Sequence, residues 1–193
     1  YDLLGDQASR TGEWREGIGR LWEQPALPEA LMNYLQVVRA LNADGRLRYY
    51  PGSPELARRL SRPQDRLHCN EKHPEDGALL KANMAEDRRV AVHRGDGWHV
   101  PRALLPTAEK RVLLLIDPPF EQVDELQRCV KALNDALGRM RQAIVVIWYP
   151  IKDQRQLKRF YQLLAASNAP KLLRAELYVH LVGYPLWLNG SGL

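Results

Sequence analysis

The stretch LLLIDPPFEQ, residues 113–122, runs from four apolar residues into an aspartate, two prolines and a phenylalanine. An unbroken apolar run of this length, bounded by turn residues, is typical of a buried strand in a parallel sheet. Each proline fixes its own φ, restricts the residue before it to an extended form and contributes no N–H donor. The sequence therefore predicts a stiff turn, rich in hydrogen-bond acceptors, at the end of a buried strand.

Short apolar runs alternate with helical patterns on both sides of this turn. The predicted strands are 66–70, 89–93, 111–116, 143–149 and 172–180, and the predicted helices are 54–60, 74–84, 122–137 and 154–166. This alternation implies right-handed βαβ units. We therefore predict an α/β fold of three layers, in which helices flank a mostly parallel sheet.

The first part of the chain has helical periodicity only. Trp14, Ile18, Leu21 and Trp22 repeat at helical spacing and predict a helix over 11–23, and a second pattern predicts one over 28–42. At this spacing the aromatic rings indicate a packed core rather than a nucleic-acid platform. We predict a small helical insertion subdomain over 1–46, followed by a domain over 47–193.

Composition narrows the class of protein to which the chain can belong. Of 193 residues 45% are hydrophobic and 26% charged, and no apolar run is long enough to span a bilayer, so we expect no membrane insertion. Cys69 and Cys129 lack metal-ligand spacing, which argues against a disulfide framework or structural zinc and favours the reducing cytoplasm. The net charge of +5 suits phosphate recognition but is also common on ordinary surfaces.

Three successive predicted strands are followed by acids, namely Glu71, Asp96 and Asp117. Ligands of open α/β sheets bind at the carboxyl ends of the strands. Glu71 has the place of a carboxylate that accepts from both ribose hydroxyls, and Asp96, between Gly95 and Gly97, can accept from an exocyclic amine. Together they describe a slot for an adenosine group, although solvated or helix-capping acids would have the same pattern.

The turn itself suits a group that donates two hydrogens. The Asp117 carboxylate would accept one hydrogen of an amino group and a backbone carbonyl, that of Pro118, the other, while Phe120 stacks on the base. The alternative is a proline-rich turn that only ends a strand. Ser53, followed by Pro54 and Glu55, has the pattern of a helix N-cap.

Asp-Pro-Pro-Phe resembles the fourth motif of the amino-methyltransferases, which methylate exocyclic nitrogens of bases or a protein glutamine. The narrower resemblance is carried by RTGEW (11–15), LRYYPGSPELA (47–57), NEKHPED (70–76), GDGW (95–98), LLLIDPPFE (113–121) and WYPIK (148–152). In this order they resemble the RlmJ family of bacterial 23S ribosomal RNA adenine-N6 methyltransferases over nearly the whole chain. The resemblance implies a Rossmann-like class I methyltransferase fold.

The same resemblance implies the ligands and the roles of the site residues. S-adenosyl-L-methionine would be the methyl donor and S-adenosyl-L-homocysteine the product, with no metal. The residues that it places at the cofactor are Ser53, Glu71, Asp96 and Gly97; Asp117 is the catalytic acceptor, and the target adenine is placed at Pro118, Pro119 and Phe120. The substrate would be 23S ribosomal RNA, protein-free or in an early assembly intermediate, and the enzyme a monomer.

The glycine-rich first motif and the last strand of the family do not occur in residues 1–193, and we expect them beyond the two ends of this sequence; the alternative is their deletion, after which cofactor binding should fail. Two alternatives remain: a DNA adenine-N6 or protein-glutamine methyltransferase with the same turn, and a non-catalytic RNA-binding module. Basic side chains that are candidates for RNA contact, although more typical of solvated helix faces, are Arg58, Arg59, Arg62, Lys152, Arg155, Lys158 and Arg159.

Overall fold

The computed structural model describes residues 1–179 and 190–193, without the side chains of residues 7, 9 and 11. The described chain forms two compact units, Tyr1–Arg94 and Gly95–Leu193. Both units contain helices and parallel strands, which confirms the α/β class. The division into 1–46 and 47–193 remains a prediction.

The first unit begins with helices α1 (Asp6–Thr11), α2 (Glu13–Glu16), α3 (Ile18–Trp22) and α4 (Glu29–Ala40). The single helix predicted over 11–23 is wrong, because two glycines interrupt it. Gly12 lies in the left-handed region at φ 63°, and Gly17 has a non-helical backbone at φ −101° and ψ −107°. The helix predicted over 28–42 is confirmed as α4.

The aromatic residues of this helical part belong to its core. Leu3, Ile18, Leu35 and Val38 form a buried cluster, and its partly buried neighbours include both predicted tryptophans, Trp14 and Trp22. The preference for a packed core over a nucleic-acid platform is therefore confirmed.

The rest of the first unit consists of α5 (Ser53–Leu60), β1 (Leu67–Glu71), α6 (Pro74–Met84) and β2 (Val90–Arg94). The two strands pair in parallel, with Leu67 opposite Val90 and Glu71 opposite Arg94. All four elements were predicted to within one residue at each end. Helix α6 packs against both strands.

The predicted N-cap at Ser53 is wrong by one residue. Gly52 is the N-cap, in an extended conformation, and no side chain caps this end of α5. The first helical hydrogen bond already runs from Leu56 N to Gly52 O at 3.1 Å. Ser53 is consequently the first helical residue, with an exposed side chain.

The second unit continues with a 3₁₀ helix (Gly97–His99), α7 (Val100–Leu104), β3 (Leu113–Ile116), α8 (Glu125–Arg139), β4 (Ile144–Ile147), β5 (Tyr149–Ile151), α9 (Gln154–Ala165), β6 (Glu176–Tyr178) and β7 (Gly190–Gly192). Strands β3 and β4 are parallel, whereas β5, β7 and β6 form an antiparallel sheet in that order. This antiparallel sheet was not predicted.

Two predicted strands differ from the structure. The strand predicted over 143–149 is divided between β4 and β5, because Trp148 N makes the last bond of the parallel ladder, to Ile116 O at 3.0 Å, before the chain pairs with β7 instead. The strand predicted over 172–180 is reduced to β6. His180, at its end, lies outside the described residues.

The core of the second unit lies between α8, α9 and one face of the β3–β4 pair. Its buried members include Cys129, Val130 and Leu133 of α8 and Leu157 and Phe160 of α9. The other face of β3 is open within this unit: Leu113 is 69% exposed and Leu115 is 50% exposed. In the described part of the chain, no helix combines the length and apolar character that crossing a membrane requires.

Candidate active site

The Asp-Pro-Pro-Phe turn begins where β3 ends, as the sequence predicts. Ile116 is the last residue of β3 and pairs with Ile147, so Asp117 is the first residue beyond the parallel ladder. Pro118 and Phe120 are half-buried, and Asp117 and Pro119 are exposed. The strand therefore delivers the turn to the carboxyl end of the β3–β4 pair.

Two acceptors of this turn are unused by the described residues. Neither the Asp117 carboxylate nor the Pro118 carbonyl receives a hydrogen bond from residues 1–179 or 190–193. Desolvation raises the pKa of the Asp117 carboxyl although the residue is exposed, so nearby protein atoms displace part of its hydration. A poorly hydrated carboxylate gains more from a donor that approaches it.

Phe120 has a backbone conformation that few residues adopt. It is the one non-glycine residue with positive φ among the described residues, at 55°. Its ring packs against the core cluster of the second unit, and its centroid lies 5.8 Å from that of Trp148 at a tilt of 55°. Because left-handed backbone is costly for a side chain with a Cβ, the surrounding contacts must hold this conformation.

Asp96 and Gly97 lie in the same unit as the turn. Asp96 Oδ1 accepts a hydrogen bond from Trp98 N at 3.1 Å and caps the 3₁₀ helix, which begins at Gly97. The Trp98 ring packs against the same core cluster as Phe120. The helix-capping alternative is therefore realised for one oxygen of Asp96, and the other oxygen has no partner among the described residues.

Ser53 and Glu71 lie in the first unit. Glu71 is the last residue of β1 rather than the first residue after it, and it is half-buried. Its Oε1 accepts from His73 N at 2.8 Å, while Oε2 has no hydrogen-bond partner among the described residues. The structure thus groups Asp96 and Gly97 with the turn through a shared core, whereas a common adenosine slot that includes Glu71 and Ser53 remains a prediction.

The sequence of the whole chain matches one protein family. Residues 1–193 match the family model described as ribosomal RNA large subunit methyltransferase D, RlmJ. The chain belongs to the RlmJ family. The resemblance found from the motifs is therefore confirmed.

Relatives in the RlmJ family include two curated proteins named ribosomal RNA large subunit methyltransferase J. The protein from Escherichia coli strain K12 is 42% identical over 179 residues, which cover 93% of this chain and 64% of that protein. The protein from Haemophilus influenzae is 41% identical over 194 residues, covering 100% of this chain and 69% of that protein. The chain thus spans about two thirds of the length of these relatives.

A solved structure also resembles this RlmJ family member. The crystal structure of a protein from Legionella pneumophila has a TM-score of 0.90 and 30% sequence identity, and the match covers 100% of this chain and 70% of that one.

Among the residues that the structure describes, no group of three or more His, Cys, Asp or Glu side chains could hold a metal ion.

The basic residues of this family member fall into two groups. Arg58 and Arg59 both form ion pairs with Glu55, and Arg62 pairs with Asp65. By contrast, three exposed side chains of α9 form no ion pair with any described residue, namely Arg155, Lys158 and Arg159. The basic side chains of α9 are therefore more available to an anionic ligand than Arg58, Arg59 and Arg62.

Two residues of the site were missed by the sequence analysis. Trp148 contacts Phe120, and its place directly after β4 could have indicated this, since the carboxyl ends of parallel strands share one edge. Glu125 is 4% exposed and accepts a hydrogen bond from Gln122 N, just after the turn. An acid at the start of a helix is usually interpreted as a solvated partner of the helix dipole, so its burial was not foreseen.

Proposed function

We propose that this protein transfers a methyl group from S-adenosyl-L-methionine to the exocyclic N6 of a specific adenine in 23S ribosomal RNA. The observation that carries the proposal is that two acceptors of the Asp-Pro-Pro-Phe turn, the Asp117 carboxylate and the Pro118 carbonyl, receive no hydrogen bond from the described residues. Membership of the RlmJ family supports the reaction class. The proposal includes a Rossmann-like class I fold for the complete protein and a cytoplasmic, monomeric enzyme.

The two acceptors suit the chemistry of an aromatic amine. The N6 lone pair of adenine is delocalised into the ring, which makes N6 a weak nucleophile. Hydrogen bonds from its two hydrogens to Asp117 and Pro118 would favour tetrahedral geometry and localise the lone pair, and fixed orientation supplies much of the remaining acceleration. Asp117 does not need to act as a strong base, because the amine becomes acidic as the new bond forms.

Phe120 would hold the plane of the base. Its half-buried ring is fixed between the core cluster and Trp148, which leaves it rigid for stacking. Pro119, between Pro118 and Phe120, keeps the turn stiff. An adenine must leave its stack to reach such a turn, which favours a flipped or looped nucleotide.

The carboxylate oxygens of two candidate cofactor residues are hydrogen-bond acceptors, which suits the hydroxyl and amine donors of an adenosine group. S-adenosyl-L-methionine supplies a methyl group on a sulfonium sulfur, so that formation of the N–C bond breaks the C–S bond and yields S-adenosyl-L-homocysteine. Glu71 Oε2 and the second oxygen of Asp96 have no partner among residues 1–179 and 190–193, and they would accept from ribose hydroxyls and an adenine amine. Gly97 and Ser53 are exposed, so both are open to a ligand.

Contact with RNA beyond the target base would come from α9. Arg155, Lys158 and Arg159 are exposed and unpaired among the described residues, and each can neutralise a backbone phosphate. The ion-paired arginines Arg58 and Arg59 of α5, and Arg62 just after it, would have to exchange acidic partners for phosphate, and they are weaker candidates.

The proposal is tested by offering the full-length protein, with S-adenosyl-L-methionine, several substrates in parallel. These are protein-free 23S ribosomal RNA, early ribosomal assembly intermediates, a DNA duplex and a glutamine-containing protein substrate. Digestion of the RNA to nucleosides and mass spectrometry should reveal N6-methyladenosine, and mass spectrometry of ribonuclease fragments should locate it at one position. Methylation of DNA or protein alone would overturn the ribosomal assignment, and binding of RNA without methyl transfer would leave a binding module.

A further inference from the structure

Glu125 is a carboxylate that the proposed reaction does not use, yet it is buried next to the Asp-Pro-Pro-Phe turn. It is 4% exposed, and only Asn42 is a further buried polar or charged residue among those described. Burying a carboxylate is expensive unless it is hydrogen-bonded. The burial of Glu125 therefore requires hydrogen bonds that offset its cost.

The hydrogen bonds of Glu125 tie the turn to α8. Glu125 Oε2 accepts from Gln122 N at 3.0 Å, and Glu125 N donates to Gln122 O at 3.4 Å. A side-chain oxygen that accepts from a backbone N–H three residues earlier, like the acid of a capping box, satisfies that N–H and holds its residue against the start of the helix. Gln122 lies two residues after Phe120, so the end of the turn is fixed at the first residue of α8.

The carboxylates of Glu125 and Asp117 both act on one buried thiol, that of Cys129. Burial, followed by the negative charges of Glu125 and Asp117, raises the pKa of Cys129 to about 12. Cys129 is fully buried one helical turn after Glu125. The carboxylate of Glu125 thus belongs to the packed support of the turn, whereas that of Asp117 reaches solvent.

The backbone of the turn needs such support. Phe120 has φ 55°, and an ordinary side chain leaves this region unless its neighbours restrain it. The core contacts of the Phe120 ring restrain the side chain, and the Gln122–Glu125 hydrogen bonds restrain the backbone that follows. Without the second restraint, the segment from Asp117 to Gln122 could relax and move both acceptors.

We propose that Glu125 is a positioning residue for methyl transfer, which anchors Gln122 N–H so that the Asp117 carboxylate and the Pro118 carbonyl stay aligned. Glu125 does not contact the substrate. The role rests on the proposed function, because alignment matters only if the turn holds a reacting amine.

The test uses the full-length protein and three variants. Glu125→Ala removes the acceptor, and Glu125→Gln keeps an oxygen acceptor at the same chain length. Asp124→Ala is the matched control, since it removes an exposed carboxylate one residue away whose ion pair with Arg128 is on the surface. The measurements are hydrogen exchange of the Gln122 amide, kcat, KM for RNA, and affinity for S-adenosyl-L-methionine.

We expect the Gln122 amide to be protected in the unsubstituted protein, and Glu125→Ala to speed its exchange by about tenfold or more. A misalignment of about 1 Å costs on the order of 100-fold in rate, so kcat should fall by about that factor while cofactor affinity changes little. Glu125→Gln should restore most of both losses, and Asp124→Ala should cause neither.

An unprotected Gln122 amide in the unsubstituted protein would overturn the anchoring role before any variant is made, even if Glu125→Ala fails to fold. A Glu125→Gln variant as slow as Glu125→Ala would overturn it too, because the loss would then follow the charge and not the hydrogen bond. If the unsubstituted protein transfers no methyl group, the proposed function fails, whereas the exchange measurement still decides whether Glu125 anchors the turn.

Discussion

The sharpest test of the base-holding turn is the substitution Phe120→Ala. At φ 55° alanine is strained about as much as phenylalanine, because every residue with a Cβ is disfavoured there. The substitution therefore removes the ring and its core contacts without adding backbone strain, while the Gln122–Glu125 hydrogen bonds still restrain the backbone that follows. Phe120→Gly would relieve the strain and confuse the two effects.

The expected magnitude follows from the stacking contact. Stacking of a base on an aromatic side chain contributes about 1–3 kcal/mol, which corresponds to a loss of about 5-fold to about 150-fold in kcat/KM. Part of the ring also packs against Trp148 and the core cluster, so the free energy of unfolding should fall by about 1–2 kcal/mol. The activity assay must therefore run well below the melting temperature of the variant.

The assay is methyl transfer to protein-free 23S RNA by the full-length protein, with thermal unfolding recorded in parallel. Phe120→Tyr is the matched control, because it keeps the aromatic face and should retain most of kcat/KM. A folded Phe120→Ala variant with kcat/KM within about twofold of the unsubstituted protein would lie outside the range expected for stacking. In that case Phe120 would only pack the turn, and the base would have to be held elsewhere.

Two further predictions concern charge. Since desolvation raises the pKa of Asp117, ionising this carboxyl costs folding free energy at neutral pH, and Asp117→Asn should leave thermal stability unchanged or higher. The same substitution should remove the acid limb of the kcat–pH profile and lower kcat by about 100-fold or more. An unchanged acid limb would assign that limb to another group. Replacing Arg155, Lys158 and Arg159 by Gln should reduce the slope of log affinity for RNA against log salt concentration by about 2 in magnitude. The control Lys131→Gln removes a cation already paired with Asp135 and should leave this slope unchanged. Equal slopes for the triple variant and the unsubstituted protein would exclude α9 as the RNA contact.

The sequence predicts best those elements whose local pattern and packing agree. Helix α6 begins at Pro74 and ends at Met84 in both prediction and structure, because proline in the first turn and an acidic start define its beginning. Strands β1 and β2 were predicted to within one residue, since each is a short segment between two helical patterns. The turn after β3 was predicted because its two prolines leave the backbone little conformational choice.

The failures arise where tertiary contacts decide between local alternatives. Gly12 and Gly17 divide a sequence with a continuous helical pattern, because apolar periodicity records which side faces the core and not whether the backbone is continuous. Asn42 has the pattern of a helix terminator, yet it is buried. Its side chain bonds the carbonyls of Val38 and Tyr49 and the amides of Arg48 and Tyr49.

Asp124 and Glu125 show most clearly why part of the candidate site could not be predicted. The sequence presents two adjacent acids before a helix, and either could be the solvated partner of the helix dipole. Only packing separates them: Asp124 pairs with Arg128 at the surface, whereas Glu125 is turned inward on the face that also carries Cys129. An acid on the buried face of an amphipathic helix breaks the apolar pattern, and such a break is expected where a function or a neighbouring turn requires it. Adjacent acids just after a rigid turn are therefore worth testing one by one in related chains, because the buried one supports the turn and the exposed one does not.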